Sequence, residues 1–115
     1  MKYEIIDDHV EASGKWPTSK RGALKESIKQ WKWLKNELKV CTEVPATDGY
    51  SCALCNLYAR GDDECVKCPV YEKTGLSQCE KNMPYNDYCD HSYTRRIKSA
   101  QRAADKEIAF LESLL

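Results

Sequence analysis

Cys52-Ala53-Leu54-Cys55, nine further residues, then Cys65-Val66-Lys67-Cys68 is the stretch on which the reading of this chain turns. A Cys-x-x-Cys turn brings two sulfurs to one side of a tight loop, at a separation suited to a single tetrahedral metal ion. Two such turns joined by a short hairpin close a four-sulfur cage. Asn56 follows the first knuckle, where a residue that tolerates positive φ is often wanted. Lys67, inside the second, offsets part of the negative charge of four thiolates around a divalent ion. The plainer explanation, cysteines as small buried hydrophobes, accounts poorly for two knuckles so close together. Zinc suits a closed four-thiolate site in a small domain. The Cys68-Pro69 step also occurs in iron–sulfur sequences, so an iron–sulfur cluster is the alternative cofactor.

Three more potential ligands follow the knuckles. Cys79, Cys89 and His91, together with Cys41, could supply a second site, or Cys79 could replace one of the four knuckle cysteines, but buried thiols explain them more simply. Cys41 falls just beyond a helical segment and continues its apolar face.

Seven cysteines in 115 residues call for a single explanation, and the compartment selects it. The opening Met1-Lys2-Tyr3-Glu4-Ile5-Ile6-Asp7-Asp8 contains no apolar run of the kind a secretory signal needs, and no later stretch is long and apolar enough to span a bilayer. The expectation is a chain kept in a reducing cytoplasm, where thiols remain available to metals. An odd number of cysteines also fits a complete disulfide framework badly. With 42% hydrophobic and 31% charged residues, the composition is that of a folded globular chain rather than a disordered one.

Outward from the knuckles, residues 1–115 are expected to form one domain of the α+β class. Residues 1–19 are an N-terminal strand and loop, the strand covering Tyr3 to Ile6 and ending in the polar stretch through Ser13-Gly14. A helix is expected over 20–39, begun by Thr18 or Ser19 as cap, with Leu24, Ile28, Trp31, Leu34 and Leu38 on one face at spacings of three and four. Residues 41–91 are the cysteine-rich metal-binding region. It is expected to lack long helices and to hold short strands such as Leu57-Tyr58-Ala59, with a turn at Arg60-Gly61-Asp62-Asp63. A second amphipathic helix is expected over 93–115. Its stripe is Ile97, Ala100, Ala104, Ile108, Leu111 and Leu115, flanked by Ala103, Phe110 and Leu114. The resulting picture is a small metal-stapled domain with a zinc-knuckle hairpin between two helices.

The pattern Cys52-Ala53-Leu54-Cys55-Asn56-Leu57-Tyr58, Cys65-Val66-Lys67-Cys68-Pro69-Val70, Thr74-Gly75, Cys79 and Pro84-Tyr85 resembles a group of small cysteine-rich proteins encoded by bacteriophages. The flanks are similar too, with Ser27-Ile28 and Trp31 upstream and Ala104, Glu107 and Leu111 in the C-terminal helix. The resemblance spans most of residues 24–115. It implies a phage origin, the host cytoplasm and a metal site that includes Cys79, but no reaction.

Nothing in the sequence argues for catalysis. A four-cysteine site leaves no open coordination position for water. His9 lies in an acidic stretch, and there is neither a phosphate-binding glycine loop nor a nucleophile elbow. Asp62, Asp63 and Glu64 read as a solvated turn. No small-molecule substrate is expected.

Binding is the better expectation. The formal net charge of zero conceals eight basic residues between Lys15 and Lys39 against Glu26 and Glu37. Lys25, Lys29 and Lys32 lie beside the apolar face of the first helix, and Trp33 points away from it as a candidate exposed aromatic. Together they suggest contact with a host or phage protein, Trp33 as anchor and the charges steering. Modulation or inhibition of a host enzyme or defence component is the corresponding role. The alternative is nucleic acid, lysines on phosphates and an indole on a base, weakened by the balanced overall charge. Lysines that merely solvate the outer side of a helix remain the commonest cause of such a run.

Overall fold

The computed structural model describes residues 1–47, 51–58, 68–75 and 83–115. Among them are a two-stranded hairpin, β1 (Lys2–Ile6) and β2 (His9–Ser13), and five helices: α1 (Lys20–Glu37), α2 (Ala53–Tyr58), α3 (Pro69–Thr74), α4 (Pro84–Asp90) and α5 (Ile97–Glu112). The fold is small and α+β. No helix among the described residues is long and apolar enough to cross a membrane.

The hairpin corrects the expectation of a lone strand. Asp7 and Asp8 both adopt left-handed backbone angles (φ 52° and 61°), the geometry of a two-residue turn whose twist matches that of the flanking strands. Aspartate tolerates this conformation better than most side chains, so the chain reverses at once and pairs Ile6 with His9 through to Lys2 with Ser13. Tyr3 and Ile5, then Val10 and Ala12, turn towards the body of the protein. Tyr3 anchors the sheet to α1 by donating a 2.5 Å hydrogen bond to the Glu26 carboxylate. Val10 donates to the Ala46 carbonyl, and Ala46 donates back to Asp8, which fixes the 44–47 segment alongside.

Helix α1 begins where the sequence puts it. The Ser19 hydroxyl accepts from the Gly22 amide at 3.0 Å, one of the donors that helix geometry leaves without a partner. The expected face is buried, and Ala23, Ser27 and Gln30 join Leu24, Ile28, Trp31 and Leu34. A 3-10 turn over Leu38–Val40 finishes the helix. Against this face packs α5, through Ala100, Ala103, Ala104, Ile108 and Leu111. Small residues at three of those five positions let the two helices approach closely. The second helix is shorter than the expected 93–115, and Leu115 is exposed rather than part of the buried stripe.

The cysteine-rich region departs furthest from expectation. Where a strand was expected at Leu57-Tyr58, α2 runs, packed on α1. Ala53, Leu54, Leu57 and Tyr58 recur with helical spacing, and the Asn56 amide bonds the Cys52 carbonyl at 3.0 Å. Asn56 is therefore helical, with no positive φ, and its side chain also donates to that carbonyl. The Ala59 end of the expected strand, the Arg60–Asp63 turn and Lys67 lie outside the described residues. Helices α3 and α4 each start with proline in the first turn, where its missing N–H has no partner to lose. Gly75, left-handed at φ 72°, stops α3. Tyr88 of α4 is wholly buried, edge-on to Trp31 at 5.1 Å, and its hydroxyl donates to the Pro45 carbonyl at 2.7 Å.

Candidate metal centre

Cys52 immediately precedes α2 and Cys55 lies one turn on, so the first knuckle is the beginning of a helix rather than an irregular loop. The helix turn brings the two sulfurs together. Cys52 is 4% exposed, which by itself would raise its pKa, yet the thiol is pulled down to about 6. The largest cause is a hydrogen bond from the Cys55 side chain. The backbone N–H groups of Cys55 and Leu54 and the Ser27 hydroxyl, its oxygen 4.0 Å from the sulfur, add to it. Donors converging on a sulfur favour the thiolate, the form that binds metals.

Of the other expected ligands, Cys68 is buried at the start of α3. Its charge acts on Tyr58, at the far end of α2. Cys65 and Cys79 lie outside the described residues. Thus two of the four knuckle cysteines are brought together and a third is placed in the same core. Among the described residues no three His, Cys, Asp or Glu side chains stand close enough together to hold a metal ion.

Of the expected second site, Cys79 lies outside the described residues, and Cys41, Cys89 and His91 do not by themselves form a metal-holding group. Cys89 is in α4, His91 caps that helix, and the imidazole faces Asp87 at 3.9 Å. Cys41 donates to the Glu37 carbonyl at 3.2 Å, and burial, helped by Glu37 and Asp8, pushes its thiol pKa up. Such a thiol is a poor metal ligand.

The residue that the sequence reading of the site missed is Glu107. It sits within the buried stripe of α5, between Ala104 and Leu111, at 0% exposure. Neither carboxylate oxygen has a hydrogen-bond partner among the described residues. Burial pushes its pKa up to about 8, and the charge of the Cys52 thiolate adds to the rise, while the Tyr85 backbone opposes it. The available signal was its position, four residues before Leu111 and three after Ala104, on the apolar face rather than the outer one.

Thiolate sulfur and carboxylate oxygen are donors that zinc accepts, but among the described residues they are not gathered into one metal-holding group.

The expected partner-binding residues divide. Lys25, Lys29 and Lys32 are exposed, as expected. Lys32 reaches Glu112 of α5 at 3.7 Å, and Lys35 pairs with Asp105 at 2.5 Å. Trp33 is not the exposed aromatic the sequence suggested. Its ring packs on Tyr3, centroids 5.6 Å apart, because the hairpin covers a second face of α1. No family model matches this chain, and neither a curated protein nor a solved structure does.

Proposed function

We propose that this protein is a zinc-stapled module, of phage type, that acts by contact with another protein and carries out no reaction of its own. The observation that carries the metal reading is the Cys52–Cys55 pair, a buried thiol drawn towards thiolate at the start of a helix and flanked by a second sulfur. Cys65 and Cys68 complete the proposed cage, with Cys79 the substitute that the phage resemblance suggests. A site closed by protein ligands contributes folding energy and leaves no position for water. The host-cell cytoplasm supplies the reducing conditions it needs.

With Trp33 half-buried on Tyr3, the contact surface is better assigned to the outer side of α1 around Lys25 and Lys29. Modulation of a host enzyme or defence component through an acidic face is the role that fits. Metal analysis of freshly purified protein, with an anaerobic absorption spectrum, tests the first half. One zinc per chain and no colour supports it, iron with broad visible absorption replaces zinc by a cluster, and a folded protein with no metal ends it.

One observation favours nucleic acid as a second reading. Arg21, Lys25 and Lys29 are exposed at successive turns, about 6 Å apart along the axis, and no acidic side chain pairs with them among the described residues. Binding to DNA or RNA that falls steeply with salt, and less steeply once Lys25 and Lys29 are neutralised, would identify it.

A further inference from the structure

We propose that β1 is a docking edge for a second copy of this chain, the two β1 strands pairing antiparallel with Tyr3 opposite Tyr3 and Lys2 opposite Glu4. This goes beyond the metal and contact readings above and depends on neither.

The hairpin leaves one edge of its sheet open. With a two-residue turn at Asp7-Asp8, Ile6 and His9 form a hydrogen-bonded pair, and so in alternation do Glu4 with Glu11 and Lys2 with Ser13. The residues between them, Tyr3 and Ile5 on β1 and Val10 and Ala12 on β2, direct N–H and C=O away from the partner strand. On the β2 side the outward Val10 N–H is taken by the Ala46 carbonyl at 2.8 Å. Nothing matches this on the β1 side. There the outward groups of Tyr3 and Ile5 meet no backbone group among the described residues.

Edges of this kind are usually blunted by proline, a bulge or repelling charge. Strand β1 holds no proline, and its one-to-one register with β2, from Lys2–Ser13 to Ile6–His9, leaves no bulge. Its charges are Lys2 and Glu4, two residues apart on the exposed face. A lysine alone would hold a second strand off, whereas opposite charges in alternation complement a copy of themselves. Run antiparallel, the same sequence sets Lys2 of each copy opposite Glu4 of the other. These are the closely spaced, non-hydrogen-bonded positions, where cross-strand side chains lie nearest each other. The same register brings Tyr3 opposite Tyr3, so the outward backbone groups of the two strands are the ones that meet. A slip of two residues either way sets Glu4 against Glu4 or Lys2 against Lys2, and parallel pairing in register also brings like charges side by side. The product is a continuous sheet ordered β2–β1–β1–β2 about a two-fold axis, a closed contact of one surface with itself. Five residues make a short edge, so the association is weak and depends on concentration.

Sedimentation equilibrium of the full chain, from micromolar to millimolar concentration, reads the association. A shift from monomer to dimer mass is expected, and exchange of the Tyr3 and Ile5 amides should slow as concentration rises while that of Glu4 does not change. Lys2→Glu and Glu4→Lys should each weaken the dimer about tenfold, because each turns two exposed ion pairs into repulsions. The double variant should restore it. Both side chains are exposed, so their reversal leaves the fold intact. A wild type that stays monomeric at millimolar concentration overturns the proposal and leaves the edge to an extended segment of another protein. So does a dimer that neither single reversal weakens, or one that the double reversal fails to restore. The two amides also decide the matter without any variant, since a dimer that leaves their exchange unchanged forms through another surface.

Discussion

The two long helices and the three short ones are stabilised by different means. Helices α1 and α5 run 18 and 16 residues, bury continuous faces against each other and draw on ordinary apolar packing. Helices α2, α3 and α4 run six, six and seven. Helices of that length do not hold in water by propensity, because nucleation costs more than so few hydrogen bonds return. They place only a few residues in the core, chiefly Leu54, Val70 and Tyr88. The difference teaches where a metal would matter: a staple at Cys52 and Cys55 adds little to the long-helix seam and more to short helices that cannot hold by themselves.

The sharpest way to break this contrast is to remove the proposed zinc. With free zinc a thousandfold above its dissociation constant, binding contributes about 4 kcal/mol, so a strong chelator should lower the stability by at least that order. Hydrogen exchange should show the loss unevenly. The Asn56 amide, bonded to Cys52, should lose protection early, while the interior amides of α5 should keep theirs. Equal loss in both places would show one cooperative unit and end the comparison.

Leu34→Ala attacks the other side. Leu34 is 1% exposed, and truncating a leucine so placed costs about 2–5 kcal/mol. Urea unfolding should report that loss with zinc content per folded chain unchanged. A variant that sheds its metal while still folded would mean that the seam and the staple are one structure.

A third effect depends on pH, and it concerns the metal-free chain. The Glu107 carboxyl is raised from an ordinary 4.5 to about 8, so between those values the folded chain keeps a proton that the unfolded chain has released. Stability is then greatest below about pH 4.5, as far as this group is concerned, and falls as pH rises towards 8. Glu107→Gln should flatten that slope and add on the order of 2 kcal/mol at pH 8, since its amide never ionises. Urea midpoints at pH 5 and pH 8 for both proteins measure it. Parallel slopes would mean that Glu107 is already ionised and paired.

What was legible in the sequence follows the same division. The face of α1 and its Ser19 cap could be read because five turns of spacing overdetermine a helix, and most of α5 for the same reason. Helices α2, α3 and α4 are under two turns each, too short for periodicity to separate from strand or loop, and so Leu57-Tyr58 read as extended. Pro69 and Pro84 were the usable signals, since both stand where prolines begin helices. The strand at His9–Ser13 was missed because its polar residues concealed the alternation of Val10 and Ala12, and because the Asp7-Asp8 reversal lacks the usual glycine. Trp33 was misjudged on a wheel that allowed α1 one buried face; the hairpin supplies a second. The first knuckle was legible as paired sulfurs but not as a helix start. The burial of Glu107 was not legible, because a charged residue is normally assigned to water.

The smallest expected effect is the one that separates fold from contact. Lys25 and Lys29 are exposed on α1 and pair with no acidic side chain among the described residues, so Lys25→Gln with Lys29→Gln should change stability by less than about 0.5 kcal/mol. Neither the seam nor the staple draws on their charge. If the outer side of α1 is the contact surface, the same double variant should lose partner association, most visibly in the association rate at low salt. Trp33→Ala provides the control, because it removes packing on Tyr3 and should lower stability before it lowers binding. If the lysine variant binds as the wild type does while Trp33→Ala abolishes binding without loss of stability, the indole would be the anchor after all, and the hairpin, not α1, would be the face presented to the partner.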